Sequence, residues 1–418
     1  MEQRVVITGV GVISPVGNNI ADFWQSLVEG KCGIDHIKGF EDYDLPVSVA
    51  GQIKDFNAEE QGLERNDIRR NDPYCQYALA AAIQAVKDSG LKSGENIEAE
   101  RLGVYVGSGI GGLQTFVTET DKLLNEGVNR ISPLFVPMMI SNIASGNVAI
   151  KFGAQGVCLP VVTACATGTH AVGEAFRAIK HGYADAIITG GAEASVHPLS
   201  IGGFANAKAL TRSTDPLKAS IPFDKNRNGF VLGEGAGVLV LEALESALKR
   251  GAHIYAEVVG YGNSCDAHHV TAPSPDGEPA SRAIKQSLSE AGFDAERDVV
   301  YINAHGTSTP LNDKSETVAI KLAMGEEAAR KAMISSTKSM TGHLLGGAGA
   351  VEALALILAL QKGIVPPTIN VEQLDEAIDP RLNLTLGEAQ HRSVRYALSN
   401  TFGFGGQNAS IILKRYEE

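Results

Sequence analysis

Two stretches of this 418-residue chain are written to one plan. In the first, Cys165-Ala166-Thr167-Gly168 runs into a helical stretch of small residues that ends at Lys180-His181-Gly182 and is followed by the strand Asp185–Gly190. In the second, Thr337-Lys338-Ser339-Met340-Thr341-Gly342-His343 runs into the small-residue helix Gly346–Leu360, which ends at Gln361-Lys362-Gly363. The strand Arg395–Asn400 then leads to Gly403-Phe404-Gly405-Gly406, much as Ile188 leads to Gly190-Gly191. Such an echo restricts the chain to two related halves that meet face to face. The expected division is residues 1–252 and 253–418. A site at their junction can take a nucleophile from one half and acid/base groups from the other.

Short β-rich runs alternate with helical ones, which gives an α/β class. Strands are expected at Val5–Gly9, Gly103–Val106, Ala186–Thr189, Gly237–Leu241, Ala256–Gly260, Val299–Ile302, Ala397–Asn400 and Ala409–Leu413. Helices are expected at Ile20–Glu29, Asp72–Ser89, Ile143–Phe152, His170–Gly182, Pro279–Ala291, Lys314–Met324 and Gly349–Lys362. No linker rich in Pro, Ser or charge divides the chain.

The 36 basic and 48 acidic residues leave a net charge of −12, which argues against general nucleic-acid binding. Five cysteines, at 32, 75, 158, 165 and 265, are odd in number, and none forms a C-x-x-C pair. Neither a disulfide framework nor a zinc site fits, whereas a reducing compartment does. The N-terminus opens into a strand without a leader, and the longest apolar helix, around Val351–Leu360, looks too short for a bilayer and carries Glu352. The expectation is a cytoplasmic protein that does not enter a membrane.

Cys165 stands apart from the other cysteines. It follows the apolar run Pro160-Val161-Val162, sits among Ala, Thr and Gly, and precedes a long helix. A thiol at a helix N-terminus meets unpaired N–H groups and the positive end of the dipole, both of which favour thiolate. His305 follows the strand Val299–Ala304 and opens His305-Gly306-Thr307-Ser308-Thr309-Pro310, a strand-end position where α/β folds place reactive groups. His343, in Thr341-Gly342-His343-Leu344-Leu345-Gly346, precedes another helix. A structural role remains the alternative for each histidine.

These motifs together resemble the β-ketoacyl-acyl-carrier-protein synthases. The resemblance rests on Ala-Cys-Ala-Thr-Gly at Cys165, His-Gly-Thr-Ser-Thr at His305 and Thr-Gly-His-Leu-Leu-Gly at His343. It also includes Pro222-Phe223-Asp224, Gly229–Gly237 and Asn400-Thr401-Phe402-Gly403-Phe404-Gly405-Gly406, and it covers essentially the whole chain. The Cys-His-His set is similar to the elongating, type II group. Initiating relatives pair cysteine with His and Asn, and thiolases use a second cysteine.

The resemblance implies a thiolase-like fold, two βαβαβαββ-type halves in a five-layered α-β-α-β-α core. It implies a decarboxylating Claisen condensation in fatty acid biosynthesis, in which Cys165 accepts an acyl group that a malonyl-derived carbanion then attacks. A thiolate is a good nucleophile, and a thioester stays reactive at carbon. His305 and His343 would be neutral N–H donors to the enolate. The backbone N–H groups of Cys165 and Phe402 would hold the acyl oxyanion, and Phe402 would gate the site. Lys338 would be electrostatic and orienting, and Glu352 would tie down nearby loops. A monovalent cation near Asn303, Glu352, Ser399 and Asn400 is optional; no other metal is required.

No separate cofactor is implied, because the substrates ride on the phosphopantetheine of acyl carrier protein. Thr307 and Thr309 would bond that arm, while Phe204, Phe230 and Ile110 would line an acyl channel or else be plain core. Arg65, Arg69 and Arg70, with Lys208 and Arg212, are the expected docking patch for the acidic carrier; a solvated helix face is the alternative for the first three. A homodimer is implied as well.

Two positions depart from the family pattern: Ile221 stands before Pro-Phe-Asp where Arg is common, and Asn228 before Gly-Phe-Val where Asp is common. A local ion pair is therefore in doubt. His268 and His269 do not suggest a metal pair, since neighbours on an extended segment point oppositely. Three rivals are set against this reading. Gly107-Ser108-Gly109-Ile110-Gly111-Gly112 matches a dinucleotide-binding fingerprint, although Pro133 and Pro137 interrupt the downstream stretch and no acidic strand end comes about 20 residues on. A non-catalytic pairing partner would have replaced the cysteine. A ketosynthase of a type II polyketide-like pathway would share every catalytic residue.

Overall fold

The computed structural model describes residues 2–417. Each of the eight expected strands forms: β1 (Val5–Ile13), β2 (Leu102–Gly107), β3 (Ala186–Glu193), β4 (Gly235–Ala243), β5 (Ala256–Cys265), β6 (Val300–Asn303), β9 (Tyr396–Gly403) and β10 (Gln407–Lys414). Two short strands, β7 (Met333–Ser335) and β8 (Asn383–Leu384), extend one edge. The spatial order is β8-β7-β6-β9-β10-β5-β1-β4-β3-β2. The outer pairs β2–β3, β6–β9, β6–β7 and β7–β8 are parallel, and the inner ones are antiparallel.

The expected five layers are present. Helix α1 (Pro73–Ser89) covers β1, β4 and β3 from outside, and α3 (Glu278–Glu290) covers β5 and β10. Between the sheets lie α2 (Thr167–Lys180) and α5 (Ala348–Lys362), each touching strands of both halves. Helix α4 (Pro310–Met324) packs on α3. At one corner the two sheet layers are continuous, because β1 also pairs with β5 over Val5, Val6 and Ile7.

The echo reaches down to individual glycines. A Cβ on Gly9 or Gly11 would lie 2.2 or 2.0 Å from the carbonyls of Ala85 and Ala81 in α1. In the second half, one on Gly260 or Gly262 would lie 2.2 or 1.9 Å from those of Ser287 and Ala283 in α3. The same alternate-glycine device thus lets an outer helix press onto the first strand of each half.

The central helix corrects one expectation. The run Leu345–Lys362 is 18 residues long with a mean hydropathy of 1.4, so by length and composition it could cross a membrane. In the structure 89% of it is buried. A helix with a sheet on each side must be apolar all round, and burial accounts for its composition.

Candidate active site

The nucleophile turn is built by an uncommon backbone conformation. Ala164 has φ +50°, after which Ala164–Ala166 form a 3-10 turn that continues into α2. Leu345 repeats this with φ +45°, followed by the 3-10 turn Leu345–Gly347 and α5. The structural counterpart of Cys165 is therefore Gly346, and that of Gly168 is Gly349. The two helix starts touch: a Cβ on Gly168 would lie 2.7 Å from Ala350 N, and one on Gly349 would lie 2.1 Å from Thr169 Oγ1. This contact brings the two halves' reactive loops together.

Cys165 is buried, and burial pushes its thiol up to about 11. The N–H groups of Phe404 and Cys165 and the Lys338 charge pull in the other direction without overcoming it. The helix start alone therefore does not hold a standing thiolate, contrary to the expectation from sequence. Desolvation of the charged sulfur outweighs the helix end.

His305 and His343 meet edge to face, with ring centroids 5.2 Å apart and planes at 90°. Both are buried, and desolvation together with the Lys338 charge holds each well below the ordinary histidine range, so both rings are neutral near pH 7. Each Nδ1 is sealed in protein without a partner. The His343 backbone is clamped, its N–H on Val231 O at 2.8 Å and its carbonyl accepting from Gly233 N at 2.9 Å. His305 and Gly306 donate their backbone N–H groups to the two oxygens of Glu316, each at 2.8 Å. Lys338 and Glu352 form a buried ion pair, and burial still raises the Glu352 carboxyl to about 7.

One cavity of about 280 Å³ contains the chemistry. Cys165, His305, His343, Thr307, Thr309, Phe204, Phe230, Phe402 and Lys208 all line it. The hydroxyls of Thr307 and Thr309 are 3.0 Å apart. Phe230 stands edge to face with His343 at 5.4 Å and with Phe204 at the same distance. Ile110 is not on this cavity; it borders a separate groove with Phe116 and Met139. Arg65, Arg69 and Arg70 are exposed on the short helix Arg65–Arg70, and none of them lines the cavity.

The oxyanion assignment also changes. Phe402 belongs to β9, paired with Asn408, and its ring lies 5.5 Å from that of His305. Beside the N–H of Cys165 itself, the backbone N–H that pulls the buried thiol down is that of Phe404, two residues on. Gly403 makes this approach possible, since a Cβ there would be 2.7 Å from Thr163 O and 3.3 Å from Cys165 N.

Of the side chains expected around a cation, Asn303 and Ser399 are register partners in the parallel pair β6–β9. Asn303 is spent on Thr337, to which its Nδ2 donates at 3.1 Å and from whose N–H its Oδ1 accepts at 3.3 Å. Ser399 and Asn400 are successive strand residues whose side chains take opposite faces. Glu352 Oε2, Ser399 Oγ and Asn400 Oδ1 are buried and unpaired.

The dinucleotide fingerprint has another use. Gly109 N and Ile110 N donate to the Glu193 carboxylate at 2.9 and 3.2 Å, and Gly346 N joins them at 3.0 Å. The glycine loop wraps a buried protein carboxylate, which leaves those donors unavailable to a pyrophosphate. A helix, Leu113–Glu126, does come after the loop and ends before the two prolines. His269 commits Nδ1 to the N–H groups of Thr271 and Ala272, each at 3.1 Å, in place of a metal.

Family profiles described as the N-terminal and C-terminal domains of beta-ketoacyl synthase match residues 2–247 and 255–372. The chain belongs to the β-ketoacyl synthase family. It is 51% identical over 417 residues to the 3-oxoacyl-[acyl-carrier-protein] synthase 2 of Synechocystis sp., covering 100% of this chain and 99% of that one. It is 48% identical over 415 residues to the enzyme of the same name from Staphylococcus aureus, covering 99% of each. A type II PKS ketosynthase solved with its acyl-carrier protein superposes with a TM-score of 0.89 at 34% identity, covering 100% of both chains.

In this β-ketoacyl synthase, sequence reasoning passed over Glu193, Glu316, Phe404 and Arg227. Glu316 lies on the buried face of α4 with Asn312, Asp313, Ala319 and Ile320. A carboxylate on a helix face that also carries Ala319 and Ile320 was the available signal there. Glu193 closes a strand in which every residue is buried, which is a comparable signal.

Proposed function

We propose that this β-ketoacyl synthase condenses an acyl group held on Cys165 with malonyl-acyl-carrier protein, as an elongating enzyme of fatty acid synthesis. The observation that carries this reading is a neutral, buried histidine pair sharing one cavity with a cysteine at a helix start. Acyl-carrier protein first exchanges its thiol for that of Cys165, so an S–acyl bond forms at Cys165 and the carrier leaves as a free thiol. The N–H groups of Cys165 and Phe404 hold the acyl oxygen as it gains charge. Malonyl-carrier then loses CO2, and the bonding pair passes into the thioester as an enolate that His305 and His343 stabilise as N–H donors. The carbanion attacks the acyl carbonyl, the Cys165–acyl bond breaks, and the sulfur recovers a proton.

Lys338 acts on this pair through its charge and stays anchored by Glu352. Lys208 on the cavity rim is the docking contact nearest the chemistry, with Arg65, Arg69, Arg70 and Arg212 as further exposed cations for the acidic carrier. A second copy of the chain is the partner for the exposed edge segment carrying Val157, Leu159 and Val162, which continues beside β2 through the Val104–Cys158 bridge. Five free thiols support residence in a reducing cytoplasm. A monovalent ion, where bound, would lie near Asn303, Glu352, Ser399 and Asn400, and no step depends on it.

Intact-mass analysis after incubation with acyl-carrier proteins of several chain lengths tests the reading. One acyl adduct on Cys165, then 3-oxoacyl product once malonyl-carrier is added, supports it. Absence of any adduct refutes it.

A further inference from the structure

At the mouth of the cavity lies a buried charge cluster that takes no part in the chemistry above. Arg227, from the first half, has a side chain only 1% exposed. Its Nε lies 3.2 Å from Asp313 Oδ2, and its Nη1 donates to Asp375 Oδ2 at 2.6 Å. The other donations go to backbone carbonyls: Nη1 to Asp224 at 2.7 Å, Nη2 to Pro310 at 3.1 Å and Nε to Thr309 at 3.3 Å. This pair is distinct from the one put in doubt by Ile221 and Asn228. Asn228 accepts from Thr211 Oγ1 and Arg212 N, at 3.2 and 2.9 Å.

What the guanidinium grips is the turn that carries the two cavity threonines. Ser308, between them, has φ +67°, a conformation a non-glycine residue keeps only when its surroundings impose it. Ile221 N donates to Ser308 Oγ at 2.9 Å, and Gly229 N donates to Ser308 O at 3.2 Å. Asp313, paired with Arg227, also takes the Phe223 N–H at 3.0 Å. Burying one guanidinium with two carboxylates gains little net stability, since desolvation consumes most of the attraction. The fork geometry instead fixes three carbonyls from both halves in one frame.

We propose that Arg227 is a positioning residue. Through the Thr309 and Pro310 carbonyls it sets the Thr307–Thr309 hydroxyl pair in the register that binds the amide-bearing arm of carrier-linked substrates. This rests on the reading of Thr307 and Thr309 as arm contacts. Lysine can match the charge at this site but cannot reach the same carbonyls in a planar fork.

The test is a double-mutant cycle of Arg227→Lys and Thr309→Val, read as KM and kcat with acyl-carrier protein and with an acyl-pantetheine thioester. The rate of Cys165 alkylation by iodoacetamide, which has no such arm, and the melting temperature are measured in parallel. Each single variant should raise KM for both substrates by about tenfold, and the double variant should be little worse than either, the non-additivity of residues acting through one contact. Alkylation should be unchanged, and kcat should fall by less than about threefold. Additive losses, or equal falls in kcat and alkylation, would overturn the proposal in favour of a purely structural Arg227. Should Arg227→Lys fail to fold, Asp375→Asn removes only the carboxylate partner of Nη1, which keeps its bond to the Asp224 carbonyl, and should raise KM by about threefold; an unchanged KM overturns the proposal equally. If Thr309→Val alone leaves KM untouched, the arm reading itself falls, whatever Arg227 does.

Discussion

The rings of His305 and His343, both from the second half, stand edge to face at 5.2 Å, and the packing of Gly168 and Gly349 at the two helix starts brings the Cys165 turn up to the His343 loop. Neither ring is oriented by a bond at Nδ1. Their positions come from the backbone, through Glu316 beneath His305 and Val231 and Gly233 around His343. The pair is therefore as good a donor set as those supports are rigid.

Acylation should fall on Cys165 and on no other cysteine. Cys75 is fully buried with its thiol pushed up to about 12, and Cys32, Cys158 and Cys265 lie outside the cavity. Peptide mapping of the acyl-enzyme checks this. A Cys165→Ser protein that still accumulates acyl-enzyme through another thiol would contradict the assignment.

The pH profile of malonyl decarboxylation should stay flat as pH falls through 6.5. Both rings are depressed below that value, so each stays neutral there and takes a proton only at lower pH. Protonation would then slow the reaction, because added positive charge stabilises the malonyl carboxylate that has to leave. A break at or above pH 6.5 in the rate of CO2 release that persists in a Glu352→Gln protein, which lacks the carboxyl raised to about 7, would show that the rings are not held neutral.

Glu193→Gln should destabilise the fold by about 3 kcal/mol in denaturant titration. The amide would set an N–H2 against the donors of Gly109, Ile110 and Gly346, which now share a carboxylate. A change within about 0.5 kcal/mol, the range of an ordinary surface substitution, would mean that the glycine loop is not held by this residue.

Charge reversal at Arg65, Arg69, Arg70 and Lys208 should raise KM for acyl-carrier protein and weaken its salt dependence. Turnover of free acyl-pantetheine, which lacks the acidic protein, should hardly change. Parallel loss on both substrates would place the damage in the fold or the cavity, away from docking.

Much of the architecture was legible because burial imposes periodicity. Strands such as β1, buried at all nine residues, read as continuous apolar runs, and the echo between halves located the reactive turns. Features set by tertiary contact were not legible. The sulfur is approached by Phe404 instead of Phe402, and nothing local distinguishes two phenylalanines on either side of one glycine. The helix Leu113–Glu126 was legible but passed over: Leu113, Phe116, Val117, Leu123 and Leu124 recur at helical spacing, although Phe116, Leu123 and Leu124 are exposed in the fold. The thiol's elevation required knowing that Cys165 is enclosed, which a helix-start pattern does not reveal.

The most direct test of the account separates the two half-reactions in His305→Ala and His343→Ala proteins. CO2 release from malonyl-carrier should fall by about 10²-fold or more, the usual loss on removing an oxyanion donor. Acyl transfer to Cys165, which uses the Cys165 and Phe404 N–H groups, should fall far less. Equal loss in both half-reactions would mean that the histidines serve to ionise the cysteine, and the enolate-donor account would be wrong.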